Sequence, residues 1–383
     1  MRDKEGASST FEELWSTVAE LALTVPQPSR SRWHHKGMSE RTERIFNIVS
    51  SIVIILIAAG WSWSIAMTRA SGNTGLNPAT GIISRALTDS RSPSVAFLTD
   101  AALTLVDPLR GESGALRAAV QQPGATVSTA TLPSGAVATY SAGAAAESTT
   151  VLAAPKRTGI WSVAIAVGSA IKPITNFSVI SLKPAAAKQK GRIGLYYIGN
   201  WPTKGAKMSP RYAPPSGFIE VTRETQNTLL SDHFRLRDFL PHDQANVWPK
   251  YVVVDLKLID KMELVLEDLE SRGIPSKGVR VMSGFRTPQY NSGVGDTGGR
   301  ASLSRHMYGD AADIFIDNDG NGSMDDLNKD GRVNIGDSRV ILAAVNRVEA
   351  AHPSLIGGCG VYSGNSAHGP FTHIDTRGHP ARW

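Results

Sequence analysis

Cysteine is almost absent from this 383-residue sequence, which contains one, Cys359. A single cysteine excludes an intramolecular disulfide, and it cannot form a thiolate metal site by itself. Its surroundings, GGCGVYSG, predict a small buried residue among glycines beside a strand rather than a nucleophile. Neither disulfide stabilisation nor thiol chemistry is therefore expected in this chain.

A concentration of charge of one sign is also lacking. The net charge is +6, and the basic residues are spread through the chain rather than gathered in one stripe. We therefore expect no nucleic-acid partner. The positive charge fits a protein that works near an anionic membrane or cell wall, and it fits an ordinary solvated surface equally well.

One long apolar run is present near the N-terminus. Residues 45–68 contain no charged side chain, and a helix of that length spans about 30 Å of hydrocarbon. Because more Lys and Arg residues precede the run than follow it, it predicts a cytoplasmic tail (1–44), a single-pass anchor in the inner membrane (45–68) and an extracytoplasmic, periplasmic C-terminal part. The alternative is a cleaved signal peptide, with Met38 as the true start.

Three segments of different composition follow. Residues 69–147 are rich in Ala, Ser, Thr and Gly and offer little core, which predicts a linker. Residues 148–205 contain short β-branched and aromatic runs separated by Pro, Gly and Lys, which predicts a small all-β accessory module. In residues 206–383, apolar spacing from 258 to 269 predicts a helix that ends at Gly273, and residues 279–282 predict a strand.

The most informative pattern consists of three parts of the last segment, SGFRTPQYN (283–291), SRHMYGDAAD (304–313) and HGPFTHID (368–375). His306 and Asp313 are seven residues apart across a turn that leads into a strand, and His373 lies on a distant strand. Two imidazoles and one carboxylate bind zinc with one position left for water, which is typical of a hydrolytic rather than a structural site.

Five residues, Ser304, His306, Gly309, Ala311 and Asp313, follow the pattern S-x-H-x-x-G-x-A-x-D of the bacterial zinc peptidases that include D-Ala-D-Ala carboxypeptidases and murein endopeptidases. The sequence resembles this family over about residues 217–383. The HFRLRDF segment (233–239) and the SGFRTP motif are similar too, and FTHIDT with the terminal Arg-Trp resembles the murein endopeptidase branch. The resemblance implies an α+β fold of the Hedgehog/DD-peptidase-like type, a small antiparallel sheet with flanking helices that carries the zinc site.

The resemblance also implies roles for residues around the metal. Arg286 is expected to bind the substrate carbonyl and to stabilise the developing oxyanion. Tyr290 and Ser304 are expected in the substrate-binding site. These three side chains come from the first two motifs of the pattern.

The general base is less plainly indicated. Several relatives carry an acidic residue three positions before the last zinc histidine, where this chain has Pro370. Asp375 is the first candidate for the base, because it alternates on the same strand face as His373, although it can instead simply orient that histidine. His368 is the second candidate.

An insertion between Asp313 and His373 predicts a second kind of metal site. Residues 326–337 resemble a dockerin or EF-hand calcium loop, in which oxygen ligands occur at alternate positions. The residues at positions 1, 3, 5, 7, 9 and 12 of the loop are Asp326, Asn328, Asp330, Arg332, Asn334 and Asp337. The earlier part of this insertion (317–337) has oxygen-bearing side chains at a similar spacing, namely Asp317, Asp319, Asn321 and Asp325. Calcium is therefore expected, first in the later loop, with acidic turns that bind no metal as the alternative.

These expectations predict a membrane-anchored zinc metallopeptidase that hydrolyses stem peptides or cross-links of peptidoglycan. Two other classes stay open. One is a non-catalytic, zinc-containing module that binds murein, which the proline at position 370 favours. The other is a calcium-dependent scaffold protein of the cell wall, in which the β module and the dockerin-like loop are the working parts.

Overall fold

The computed structural model describes residues 95–150, 152–202, 210–293 and 301–383, all of which belong to a compact unit that spans residues 83–383. The predicted cytoplasmic tail and transmembrane anchor lie outside the described residues. In the ranges that the structure describes, none of the helices is both long enough and apolar enough to cross a membrane.

The first part of the unit is a five-stranded sheet with the order β1-β5-β4-β2-β3. Its strands are β1 (Ala118–Gln121), β2 (Ala136–Ala142), β3 (Ala145–Thr149), β4 (Gly159–Val167) and β5 (Ala170–Ser181). β1 runs parallel to β5, and the other pairs are antiparallel. Helix α1 (Val95–Val106) contacts β4 and β5, and its Leu98 and Leu105 share a core with Trp161 and Phe177.

The structure differs from the predicted linker over residues 95–147, which contain α1, β1, β2 and part of β3. Several alanines of this stretch are core residues, and Ala118 and Ala138 are fully buried. Ala138 shares its core with two large side chains of later strands, Trp161 and Phe177. A segment of small residues can therefore form strands when distant aromatic residues complete its core.

The predicted β module at 148–205 has different boundaries as well. It contains β4 and β5 of the first sheet and the short strands β6 (Lys183–Pro184), β7 (Arg192–Ile193) and β8 (Tyr196–Tyr197). Two other strands of the first sheet, β1 and β2, precede it. Its last residues belong to the core of the C-terminal part, where Ile198 and Trp201 are buried. The indole N–H of Trp201 donates to the carbonyl of Met307 at 2.9 Å.

The C-terminal part is a mixed α+β arrangement. Strands β9 (Gly217–Val221) and β10 (Lys250–Val252) form a small sheet with β6. A second five-stranded sheet has the order β11-β12-β14-β13-β15. Its strands are β11 (Val279–Ser283), β12 (Ala311–Ile316), β13 (Gly358–Tyr362), β14 (Phe371–Asp375) and β15 (Ala381–Arg382). All pairs in this sheet are antiparallel except β13 with β15.

The predicted helix is confirmed as α2 (Leu256–Ser271), in which the Asp255 side chain accepts from the backbone N–H of Lys257 and caps the N-terminus. It ends before Gly273, which has the left-handed φ of 73°. Helix α4 (Ile335–Ala351) packs against α2, and both contact β14. The short α3 (Pro288–Asn291) follows the arginine motif.

Side-chain alternation separates the two faces of the second sheet. Ile314 of β12 and Ile374 of β14 are fully buried in the core that also contains the apolar side chains of α2 and α4. Their neighbours Asp313 and His373 must therefore lie on the opposite face, because successive residues of a strand point to opposite sides. The helices thus support the sheet from behind, and the polar residues gather on its other face.

Candidate metal centre

His306 lies in a short 3-10 turn (Arg305–Tyr308) and is 3 % exposed. Its Nδ1 lies 2.7 Å from the backbone carbonyl of Gly284. Since a carbonyl can only accept, Nδ1 carries the proton and Nε2 presents a lone pair, as in most metal-binding histidines. Gly309 ends the turn at a φ of 75°, and a Cβ there would come within 2.4 Å of the Val253 carbonyl oxygen. The turn therefore requires glycine between the two predicted ligands.

Asp313 and His373 lie directly opposite each other on the antiparallel strands β12 and β14. This register places both side chains on the same face at neighbouring positions, although sixty residues separate them in the sequence. Both are almost completely buried. The predicted strand position of His373 and the predicted turn from His306 into a strand are confirmed.

Three donor atoms of these residues form a nearly equilateral triangle. Nε2 of His306 lies 3.2 Å from Oδ1 of Asp313 and 3.2 Å from Nδ1 of His373, and the latter two atoms are 2.9 Å apart. Ligand atoms about 2.0 to 2.1 Å from a tetrahedral zinc ion are roughly 3.3 Å from one another. The donor set and its spacing therefore fit zinc, and the three residues can hold a metal ion.

The protonation states of Asp313 and His306 also suit a cation. Burial alone would raise the pKa of Asp313, but His306 and His373 outweigh it and hold that pKa well below its usual range. Burial lowers the pKa of His306, which keeps its imidazole neutral. Burial would lower the pKa of His373 as well, but its bonds to Asp313 and Asp375 raise it instead. An ionised carboxylate and a neutral imidazole are the forms that bind metal.

Asp375 is placed behind His373. Its Oδ2 lies 3.1 Å from Nε2 of His373, whereas Nδ1 of the same ring faces Asp313. Asp375 is fully buried, and its carboxylate also accepts from the backbone of Gly358 at 2.7 Å and from Nε of Arg377 at 2.8 Å. Its first predicted role, the general base, is not what this geometry favours. It instead orients His373 in the manner of a carboxylate-histidine-metal arrangement.

Arg286 lies beside the metal ligands. Its Nη2 donates to Oδ2 of Asp313 at 2.6 Å, and its Nε donates to Oγ of Ser283 at 2.8 Å. Ser283 pairs with Asp313 across β11 and β12, so the arginine motif reaches the centre through the sheet register. The side chain is 17 % exposed. Arg286 therefore fixes the outer oxygen of a metal ligand and is itself held close to the centre.

The other predicted site residues lie on three different segments. Ser304 is buried and begins the turn that carries His306. Tyr290 is half-buried in α3, where its backbone N–H donates to the Thr287 hydroxyl at 3.0 Å. His368 is half-buried in the loop before β14, with Nε2 2.9 Å from the Asn365 amide and its ring edge-on to Phe371. Its role as a base stays a prediction.

Sequence reasoning did not assign a role to several neighbours of the centre. Arg377 bonds to Asp375, and the Lys261 ammonium donates to the backbone carbonyl of Asp375 at 2.8 Å. The ring of the terminal Trp383 lies 5.3 Å from the His373 ring, centroid to centroid. Gly360, opposite His373 in β13, allows this approach because a Cβ there would be 2.3 Å from the indole nitrogen. The Arg-Trp ending was the available sequence signal for Trp383.

The two predicted calcium loops differ in the structure. In the later loop, Asp337 lies in the first turn of α4 and is fully buried. Its Oδ1 accepts from the backbone of Leu327 and Asn328, and its Oδ2 accepts from the backbone of Asn334. Asp337 therefore completes the capping box of α4 with Asn334, and its role as the last ligand of the loop stays a prediction.

The remaining positions of the later loop bond mainly within the loop. Asp326 accepts from the backbone of Asp330 and Gly331, and Asn328 also accepts from the backbone of Asp330. Arg332 and Asn334 are linked by a bond from the Asn334 amide to the Arg332 carbonyl. Among the described residues, the acidic group whose ligand atoms come within 4.8 Å of one another is Asp317, Asp319 and Asp325 of the earlier loop.

Residues 243–334 match a known family. The family is Peptidase M15. The matched stretch contains Arg286, His306 and Asp313 and ends before His373, which the pairing of β12 with β14 places opposite Asp313. The match supports a metallopeptidase and agrees with the predicted zinc peptidase family. A search of curated proteins and a search of solved structures each gave no match.

Proposed function

We propose that the chain is a zinc-dependent peptidase that hydrolyses peptide bonds of peptidoglycan, either in stem peptides or in cross-links. The observation that carries the proposal is the triangle of donor atoms from His306, Asp313 and His373 beside Arg286. Arg286, His306 and Asp313 lie in the stretch similar to Peptidase M15. Zinc in such a site supplies Lewis acidity and makes a bound water more acidic.

The protein groups around the metal have separate tasks in this proposal. The Gly284 carbonyl and the Asp375 carboxylate fix the rings of His306 and His373. Arg286 holds Asp313 through Oδ2 and presents a permanent positive charge beside the ligands, where it can stabilise negative charge that develops on a substrate carbonyl oxygen. His368, in the loop before β14, is the candidate that remains for proton transfer.

The substrate assignment is supported by the family resemblance and by the proposed location. An anchor at residues 45–68 would place the centre outside the inner membrane, where peptidoglycan lies. A topology test uses reporter fusions after residues 44 and 94. We expect cytoplasmic signal from the first fusion and extracytoplasmic signal from the second, and the reverse pattern would refute this location.

The activity is tested with the purified full-length chain, loaded with zinc and mixed with murein sacculi. We expect soluble fragments, whose masses identify the bond that is cleaved, and we expect His306→Ala to stop their release. His352→Ala is the matched control, because His352 is a histidine whose Nδ1 faces Glu112 instead of the centre. Equal release by His306→Ala and the native chain would refute the proposal.

A second function, a murein-binding module that keeps zinc but does not hydrolyse, is favoured by one observation. Pro370 occupies the place of the acidic residue of relatives, and both Asp375 oxygens are already bonded to Gly358, Arg377 or His373. Binding to sacculi with stoichiometric zinc and no released product would support this module. Catalytic release of fragments would exclude it.

A further inference from the structure

The loop between β12 and α4 contains a buried acidic group with an unsatisfied oxygen. Asp317, directly after β12, is 3 % exposed, and its Oδ1 is buried without a hydrogen-bond partner. Its Oδ2 accepts from the backbone of Gly322 at 3.2 Å and lies 3.6 Å from Nε of Arg280. A buried carboxylate oxygen without a donor is costly, and such an atom points to a missing cation or proton.

The surroundings of this oxygen favour a cation. Ligand atoms of Asp317, Asp319 and Asp325 lie within 4.8 Å of one another, so three carboxylates face one small volume. Arg280 neutralises only part of this charge, because it approaches one oxygen of Asp317 and its side chain is 57 % exposed. Three carboxylates so close together repel one another unless a cation separates them.

We propose that the loop 317–325 binds a calcium ion through Asp317, Asp319, Asn321 and Asp325. These residues occupy positions 1, 3, 5 and 9 of the calcium-loop pattern, with Gly322 at position 6, where its φ of 85° permits the sharp bend. Oxygen-only ligands select calcium over zinc. The site is therefore in the earlier loop, and the later loop forms the cap of α4.

The position of the loop indicates what the ion does. Asp317 follows the last residue of β12 by one position, four residues after Asp313. The backbone N–H of Asp325 donates to the Ile316 carbonyl at 2.8 Å, and that of Asp317 donates to the Gly278 carbonyl at 2.9 Å. Calcium therefore holds the end of the strand that carries Asp313, and its loss is expected to loosen that end.

The test uses the full-length, zinc-loaded chain, calcium chloride as the probe, and two measurements, titration calorimetry and thermal unfolding. We expect saturable binding of one ion below about 1 mM, as in other extracellular calcium modules. We expect the midpoint of unfolding to rise by several degrees with about 10 mM calcium, and by much less with magnesium. Neither readout depends on peptidase activity, so this proposal can fail independently of the proposed function.

Two aspartate variants assign the ion to a loop. Asp319→Asn removes an exposed carboxylate of the earlier loop and is expected to weaken calcium binding at least about tenfold. Asp330→Asn makes the same change at an exposed position of the later loop and is expected to leave binding unchanged. Absence of calcium binding by the native chain would overturn the proposal. It would also be overturned if Asp319→Asn bound calcium normally, or if Asp330→Asn abolished binding.

Discussion

Nε2 of His373 lies 3.1 Å from the buried carboxylate of Asp375, while Nδ1 of the same ring lies 2.9 Å from Asp313. Nδ1 of this imidazole thus faces the proposed metal site, and Nε2 faces the carboxylate that supports the ring. A hydrogen bond of this kind fixes the tautomer of the ring and raises its basicity toward a metal. Asp375 therefore acts on the proposed zinc through His373.

The first prediction concerns this support. Asp375→Asn should weaken zinc binding about 10- to 100-fold, because an amide orients the imidazole less well than a carboxylate does. Competition with a chelator of known affinity measures the change, and thermal unfolding of the zinc-free protein shows whether the fold is intact. Unchanged zinc affinity together with lost hydrolysis would contradict this role and restore Asp375 as the general base.

The second prediction concerns Arg286. Arg286→Ala should reduce the rate of fragment release by roughly 100-fold or more at saturating zinc, since a charged donor beside the substrate carbonyl is lost. Arg286→Lys should recover only part of this rate, because an ammonium cannot bond to Ser283 and Asp313 as the planar fork does. If excess zinc restores full activity to Arg286→Ala, the arginine serves only to hold Asp313.

The third prediction concerns the buried ion pair between α2 and α4. The Lys261 ammonium is fully buried, lies 2.6 Å from Glu349 and also donates to the Asp375 carbonyl. Lys261→Met should lower the free energy of unfolding by about 3 kcal/mol, the lower end of the range for a broken buried pair, since Arg382 still bonds to Glu349. Urea unfolding of the zinc-free protein measures this loss.

A change of Glu349, the partner of Lys261, provides the control for this ion pair. Lys261→Met combined with Glu349→Leu should destabilise the protein less than the sum of the two single changes, because no unpaired charge is left buried. A strictly additive loss would show that the two side chains do not interact appreciably.

The fourth prediction concerns pH. The Glu263 carboxylate lies 2.7 Å from Nδ1 of His233 and raises the pKa of that histidine above 6.5, although burial opposes the shift. Burial alone would raise the pKa of Glu263, but its bonds, above all that from His233, lower it below 4.5. The histidine contributes stability that is fully present below pH 6.5 and is lost as the pH rises through its raised folded pKa. The glutamate contribution is present above pH 4.5 and is lost as the pH falls through its lowered folded pKa.

The pair of His233 and Glu263 is therefore most stabilising between about pH 4.5 and pH 6.5. Glu263→Gln should cost more free energy of unfolding near pH 5.5 than near pH 9, and it should lower the His233 pKa in an NMR titration. An equal cost at both pH values would show that the pair contributes through packing and not through charge.

Local features of the centre could be predicted because they depend on near neighbours in the sequence. The turn around His306 and the strand that follows it are set by Gly309 and the spacing to Asp313. Helix α2 follows from its apolar spacing and its end at Gly273. The burial of Cys359, whose thiol pKa is raised to about 12 by that burial, follows from its small neighbours and strand pattern.

The differences concern residues whose partners depend on how the chain folds. The composition around Ala138 predicts a linker, but Trp161 and Phe177 of later strands complete a core around it. Asp337 reads as a calcium ligand, but in the fold the backbone N–H groups of Leu327, Asn328 and Asn334 bond its oxygens. Composition and spacing describe a residue without its partners, and these two residues have partners that only folding provides.

The sequence by itself determined that His306, Asp313 and His373 carry groups able to bind a metal and that a turn lies between the first two, since both features are local. The tertiary structure alone decided the pairing of Asp313 with His373, the place of Asp375 behind the ring and the bond from Arg286. The physical reason is strand register. A shift of one residue between β12 and β14 would turn one of the two ligands toward the helices, and only the burial of Ile314 and Ile374 on the helix side fixes that register.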